Sequence, residues 1–137
     1  MRSALLNAAR HALGVVAVGV FGVVAGCAGG PGGLSGPPEQ AVAERAQLRW
    51  DALVAGDLEK AYGYLSPATR QVVTLVGYSS ATRVGFWKKA KVEKVECPAA
   101  DLCEVHLTVE YRRGATIATP LKESWTRSQG EWWYVQK

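Results

Sequence analysis

The chain has 137 residues and a formal net charge of +4 at pH 7. That length leaves room for one domain with a small core once targeting and linker segments are set aside. So modest a basic surplus implies no polyanionic partner, and nucleic acid is not expected as a ligand.

Residues 1–11 carry Arg2, Arg10 and His11 and no acid, and residues 12–25 form an unbroken apolar run. A basic start followed by a short apolar stretch is the layout of a secretory signal. The run ends in Val24-Ala25-Gly26-Cys27, which resembles the bacterial lipobox, where small residues precede a cysteine that accepts diacylglycerol. The resemblance implies that residues 1–26 are removed and that Cys27 becomes the acylated N-terminus. It further implies a lipoprotein of the cell envelope, with membrane lipid as its first partner. Ala28 in place of aspartate implies the outer membrane, facing the periplasm, if the host has two membranes. The alternative is a permanent transmembrane helix, but Ala12–Ala28 is at the low edge of the roughly 20 residues a span needs. Without Arg2 and Arg10 the mature chain would hold 14 basic and 12 acidic residues. Residues 27–40 follow as a lipidated cysteine and a tether dominated by glycine and proline.

Residues 41–137 are read as the folded domain. From Glu39 to Ala55, Val42, Ala46, Trp50, Leu53 and Val54 recur at helical spacing, with Arg45, Arg49 and Asp51 mostly off that face. Gly56 suits a left-handed cap, Asp57 an N-cap for a second helix, and Ser66-Pro67 the start of a third that reaches Val73 to Leu75. Residues 77–85 read as a loop. Strands are predicted over 86–97, 103–111, 116–127 and 131–136. The second is the clearest, with Cys103, Val105, Leu107, Val109 and Tyr111 on one face and Glu104, His106, Thr108 and Glu110 on the other. Helices first and an antiparallel meander afterwards predict an α+β fold, the helices packed on one face of a curved sheet.

The stretch Arg49 to Tyr62 with Leu65-Ser66-Pro67, and the closing Glu123-Ser124-Trp125 and Gly130 to Val135, resemble the nuclear transport factor 2-like superfamily. The resemblance covers about residues 40–137 and implies a cone-shaped α+β fold with a pocket between sheet and helices. That fold serves isomerases, dehydratases, carriers and interaction modules, so it transfers no single function.

With Cys27 acylated, Cys97 and Cys103 remain. They end one predicted strand and begin the next, within reach of a disulfide that an oxidising compartment permits. Free thiols or a metal or redox role are the alternatives. Zinc takes four ligands, however, and His106 is the single histidine after Cys27, so no metal or other cofactor is expected.

No catalytic residue is assigned. Asp51 or a pocket tyrosine would serve an isomerase- or dehydratase-like enzyme, but no histidine–carboxylate pair is evident and His106 falls on the polar strand face. The aromatic residues carry more: Trp50, Tyr62, Tyr64, Trp87, Tyr111, Trp125 and Trp133 are candidate pocket-lining residues, against core and edge packing. Trp132 and Trp133, adjacent in a strand, should point to opposite faces. With Cys97 opposite Cys103, Lys88 would face Arg112, gathering basic groups at one end of the hairpin, for solubility or for anionic lipid. The expected function is a non-catalytic, membrane-anchored binding module for a protein partner or a small apolar ligand. The rivals are the enzyme and a homodimer that closes its sheet face.

Overall fold

The computed structural model describes residues 36–136. Cys27, the signal segment and most of the tether lie outside the described residues. Four helices precede four strands: α1 Pro38–Ala55, α2 Leu58–Tyr62, α3 Pro67–Val72, α4 Leu75–Ala81, β1 Trp87–Ala99, β2 Leu102–Arg113, β3 Ala115–Ser128 and β4 Glu131–Val135. No described helix is long and apolar enough to cross a membrane.

The helix boundaries follow from their caps. Pro38 opens α1, where its missing amide hydrogen is no loss. Gly56 closes it at φ 78°, its N–H and that of Asp57 bonding back to Leu53 and Ala52. Asp57 then accepts from the Lys60 N–H and Ser66 from the Thr69 N–H, each satisfying an orphan donor of the next helix. Residues 75–81 differ from the predicted loop. Thr74 accepts from the Gly77 N–H and starts α4, so α3 stops at Val72 instead of running on to Leu75. Gly77 and two serines are weak helix formers, which hid this turn; burial of Tyr78 against the core holds it.

The strands form one open antiparallel sheet in the order β1-β2-β3-β4. On its inner face Cys103, Val105, Leu107, Val109 and Trp125 are all but fully buried against Val42, Ala46, Trp50 and Leu53 of α1. At roughly 1.5–3 kcal/mol for each large apolar side chain, this layer is the main source of stability. β4 covers only the segment Ser124–Ser128 of β3, so the stretch before it is an edge, and Pro120 sits there without needing a donor. On its other side β4 is closed off by the chain itself, through a parallel bridge between Leu65 and Tyr134.

Two of the three register shifts between β1 and β2 correct the predicted hairpin register. Glu96 faces Glu104, but the pairing shifts between Val92 and Lys94 and again between Lys89 and Trp87, where Trp87 faces Tyr111. Lys88 is therefore an extra bulge residue and does not face Arg112. Cys97 and Cys103 form a disulfide across this hairpin, next to the turn.

Arg49 is a second departure. It is only 5% exposed, whereas the helical spacing alone puts it mostly off the apolar face. It stands in the stripe Val42–Ala46–Arg49–Leu53, and the facing strand answers it with Glu123, itself 6% exposed.

Candidate functional site

Between α1, α4 and the β1–β3 side of the sheet lies a cleft of about 540 Å³. α1 contributes Arg49, Trp50 and Leu53, α4 contributes Tyr78, and the sheet contributes Trp87, Leu121, Glu123 and Tyr134. Trp50 and Trp87 meet edge to face at 5.4 Å between ring centres, which fixes one wall.

The floor is polar and closed on itself. Arg49 Nη1 donates to Glu123 Oε1 at 2.7 Å, and the Trp50 indole N–H donates to the same oxygen at 2.9 Å. The Trp125 indole N–H reaches Glu123 Oε2 at 3.3 Å. Three donors thus satisfy one buried carboxylate, which is the condition for holding an ion pair out of water. The Arg49 guanidinium also lies 3.6 Å from the centre of the Tyr134 ring. Burial pushes the Tyr134 phenol above its ordinary value, and Arg49 opposes that in part.

A second hollow, of about 560 Å³, adjoins the cleft through the shared residues Arg83, Phe86 and Trp87 and is completed by Tyr111 and Arg113. Phe86 stacks on Tyr111 at 4.8 Å, and the Arg83 guanidinium lies 5.8 Å from the Phe86 ring centre. No acid lines this hollow.

The aromatic residues singled out from sequence divide into groups. Trp50 and Trp87 line the cleft, and Tyr111 lines the adjoining hollow. Tyr62 instead donates its hydroxyl to the Val73 carbonyl at 2.7 Å, bracing α2 against α3. Tyr64 packs on Trp125, which is 0% exposed. Trp132 joins the core, whereas Trp133 lies beneath the guanidinium groups of Arg45 and Arg70 and donates to the Ser128 carbonyl. Sequence reasoning did not place Arg49, Arg83, Leu121 or Glu123 in a pocket. A signal existed for Glu123: it shares strand parity with Leu121 and Trp125, so a charge there needs a buried partner.

Asp51 is exposed, accepts from Gln47 Nε2 at 2.8 Å and lines neither hollow. His106 sits on the outer sheet face. Its Nε2 is 3.1 Å from Glu96 Oε2 and 2.8 Å from Glu104 Oε1. These three residues could converge on a cation. Each carboxylate, however, is already held by a lysine, Lys94 at 2.7 Å for Glu96 and Lys122 at 2.8 Å for Glu104. Those hydrogen bonds keep both carboxyls below their ordinary range. The set also supplies one ligand fewer than the four a structural zinc takes.

No family model matches the chain, and no curated protein matches it. Solved structures do. A SEC-C motif containing protein from Rhodopseudomonas palustris superposes with a TM-score of 0.51 at 13% identity, over 64% of this chain and 70% of its own. Another, from Psychrobacter arcticus, superposes with a TM-score of 0.59 at 11% identity, over 72% of this chain and 60% of its own, less than two thirds of that protein. At such identities the likeness shows the fold alone. It corrects the resemblance to a lipoprotein bearing a nuclear transport factor 2-like domain, since these two structures that share the arrangement are SEC-C motif containing proteins. The physical reason lies in what the quoted residues do. Gly56-Asp57 and Ser66-Pro67 are caps, and the tryptophan-rich end is a hairpin packed on a helix. Such signals specify local geometry, not a family, and the sheet they build is open.

Proposed function

We propose that this domain is a non-catalytic binding module whose ligand is a small apolar molecule held in the cleft between α1, α4 and the sheet. One observation carries the reading: about 540 Å³ lined by Trp50, Leu53, Tyr78, Phe86, Trp87 and Leu121 together with polar groups, among them Arg49, Arg83, Lys122 and Glu123. Ligand sites are concave, mostly apolar and of roughly 300–1,000 Å³, with a few polar groups to orient the occupant. The acid within the cleft, Glu123, is buried and already engaged by three donors, which favours binding over chemistry.

The proposed setting is outside the cytosol, at an envelope membrane, with the domain held through Cys27. The apolar run and small residues before Cys27 support this, and so does the Cys97–Cys103 disulfide, which suits an oxidising compartment. Labelling of cells with a fatty acid should mark the chain, and Cys27→Ser should remove the mark.

The test of binding is titration with N-phenyl-1-naphthylamine, a neutral probe that brightens in apolar surroundings. Binding should quench the cleft tryptophans, and Trp87→Ala should weaken it about ten-fold, because one aromatic wall contributes roughly 1–2 kcal/mol. A probe that stays dark, or that binds equally well to the variant, would refute the reading.

A further inference from the structure

The cleft and the hollow beside it are electrostatically unlike, although they share a wall. In the cleft the Arg49 charge is neutralised by Glu123 at 2.7 Å and Lys122 pairs with Glu104, so its remaining cation is Arg83, on the wall shared with the hollow. The rim hollow holds Arg83 and Arg113 and no acid, and neither arginine makes an ion pair among the described residues. The packed rings of Phe86, Trp87 and Tyr111 stand where the two meet, and the Arg83 guanidinium lies 5.8 Å from the Phe86 ring centre. A neutral apolar molecule would use the cleft and leave the rim idle. An anion without a tail would find only exposed guanidinium groups and no burial.

We infer that the ligand is an amphipathic carboxylate, with its apolar chain in the cleft and its carboxylate at the rim between Arg83 and Arg113. This rests on the binding reading above and adds the ligand's charge and direction. Arginine suits a carboxylate because its planar fork offers two parallel N–H donors, and the Arg83 fork lies within cation–π range of the Phe86 ring. The reverse orientation is disfavoured: at the closed end the carboxylate would meet Glu123, whose own charge is buried and satisfied. The direction also leaves the charged head in water, where its desolvation is smallest.

The experiment compares decanoate, decanol and decyltrimethylammonium by tryptophan quenching of the full protein at low and high salt. Decanoate should bind about three- to ten-fold more tightly than decanol at low salt, the range of one or two exposed charge pairs. That advantage should shrink at high salt as the pairs are screened. The cation should bind most weakly. Arg83→Gln with Arg113→Gln replaces two exposed side chains and should bring decanoate down to the level of decanol, and Arg113→Gln alone, outside the cleft lining, should weaken decanoate while leaving decanol unchanged. Equal binding of acid and alcohol by the native protein, or an acid preference that survives the double substitution, overturns the inference and leaves the cleft reading standing. Failure of decanol and decanoate alike overturns the cleft reading and this one with it.

Discussion

Replacing Glu123 with alanine strands a charge. Arg49 and Glu123 are 6% exposed at their side chains and 2.7 Å apart. Without the carboxylate, a guanidinium stays behind in a place water does not reach. Breaking such a pair costs about 3–5 kcal/mol, against a total stability of about 5–15 kcal/mol for a domain. The Trp50 and Trp125 indoles lose their acceptor as well, which puts the variant toward the upper end of that range. At roughly 4–8 °C per kcal/mol for a domain of this size, even 3 kcal/mol would lower Tm by about 12–24 °C. Urea unfolding followed by tryptophan fluorescence measures this directly, since two of the reporters touch the site. Arg49→Met combined with Glu123→Leu removes both charges and should recover most of the loss. A remaining deficit of about 1–3 kcal/mol would reflect the two indole N–H groups still without an acceptor. A loss under about 1 kcal/mol in Glu123→Ala, or a double variant no better than the single, would show that buried charge is not what holds this floor together.

Reducing the Cys97–Cys103 bridge, which closes a loop with a sequence separation of 6, should cost about 2 kcal/mol in urea melts with and without reductant. Glu96 and Glu104 have carboxyls lowered from 4.5, first by Lys94 and Lys122. The unfolded chain therefore binds protons at these groups before the folded one does, so stability is full above about pH 4.5 and falls as pH drops through the lowered values. Urea midpoints between pH 6 and pH 2 should show this decline, and Lys94→Gln with Lys122→Gln should flatten it. Gly56→Ala should cost about 1–2 kcal/mol by the same assay, since φ 78° is left-handed and the new Cβ would meet Val84 Cγ1 at 3.1 Å. Ala81→Phe, from the cleft wall, should abolish binding of the naphthylamine probe without lowering Tm; binding that persists would place the ligand elsewhere.

Much of this fold is legible in the sequence because its signals are local. Gly56, Asp57 and Ser66-Pro67 are caps whose chemistry works within a few residues, and they mark three of the helices correctly. The alternation from Cys103 to Val109 assigns the inner face of β2 without knowledge of its neighbours. What escaped depends on pairing at a distance. Arg49 and Glu123 are 74 residues apart, and either alone reads as a surface charge. Of the three register shifts of β1 against β2, no residue announces the two at Trp87/Lys89 and Val92/Lys94, because a mixed polar and apolar strand tolerates one extra residue on either face. The site was visible only as a surplus of rings. Which of them stay in the cleft is decided by helix α4, and α4 is held by Tyr78 more than by its own helix propensity.

These omissions share a cause that bears on function. The core face of the sheet is closed by aliphatic side chains over β2, where alternation is strict, and by tryptophans over β3 and β4. Between those regions the facing helix offers Arg49 where another aliphatic residue would pack, and the strand must answer with Glu123. A buried ion pair is a poor device for stability alone, since apolar residues of the same volume serve as well or better. Its guanidinium, held at 3.6 Å over Tyr134, occupies space that a leucine would let the sheet close over. The pair therefore acts as a rigid polar floor that keeps α1 and β3 apart, with Trp50 and Trp87 as walls above it. In the proposed reading such a floor faces the apolar chain, and Arg83 and Arg113, which make no ion pair among the described residues, are where the anionic head would rest.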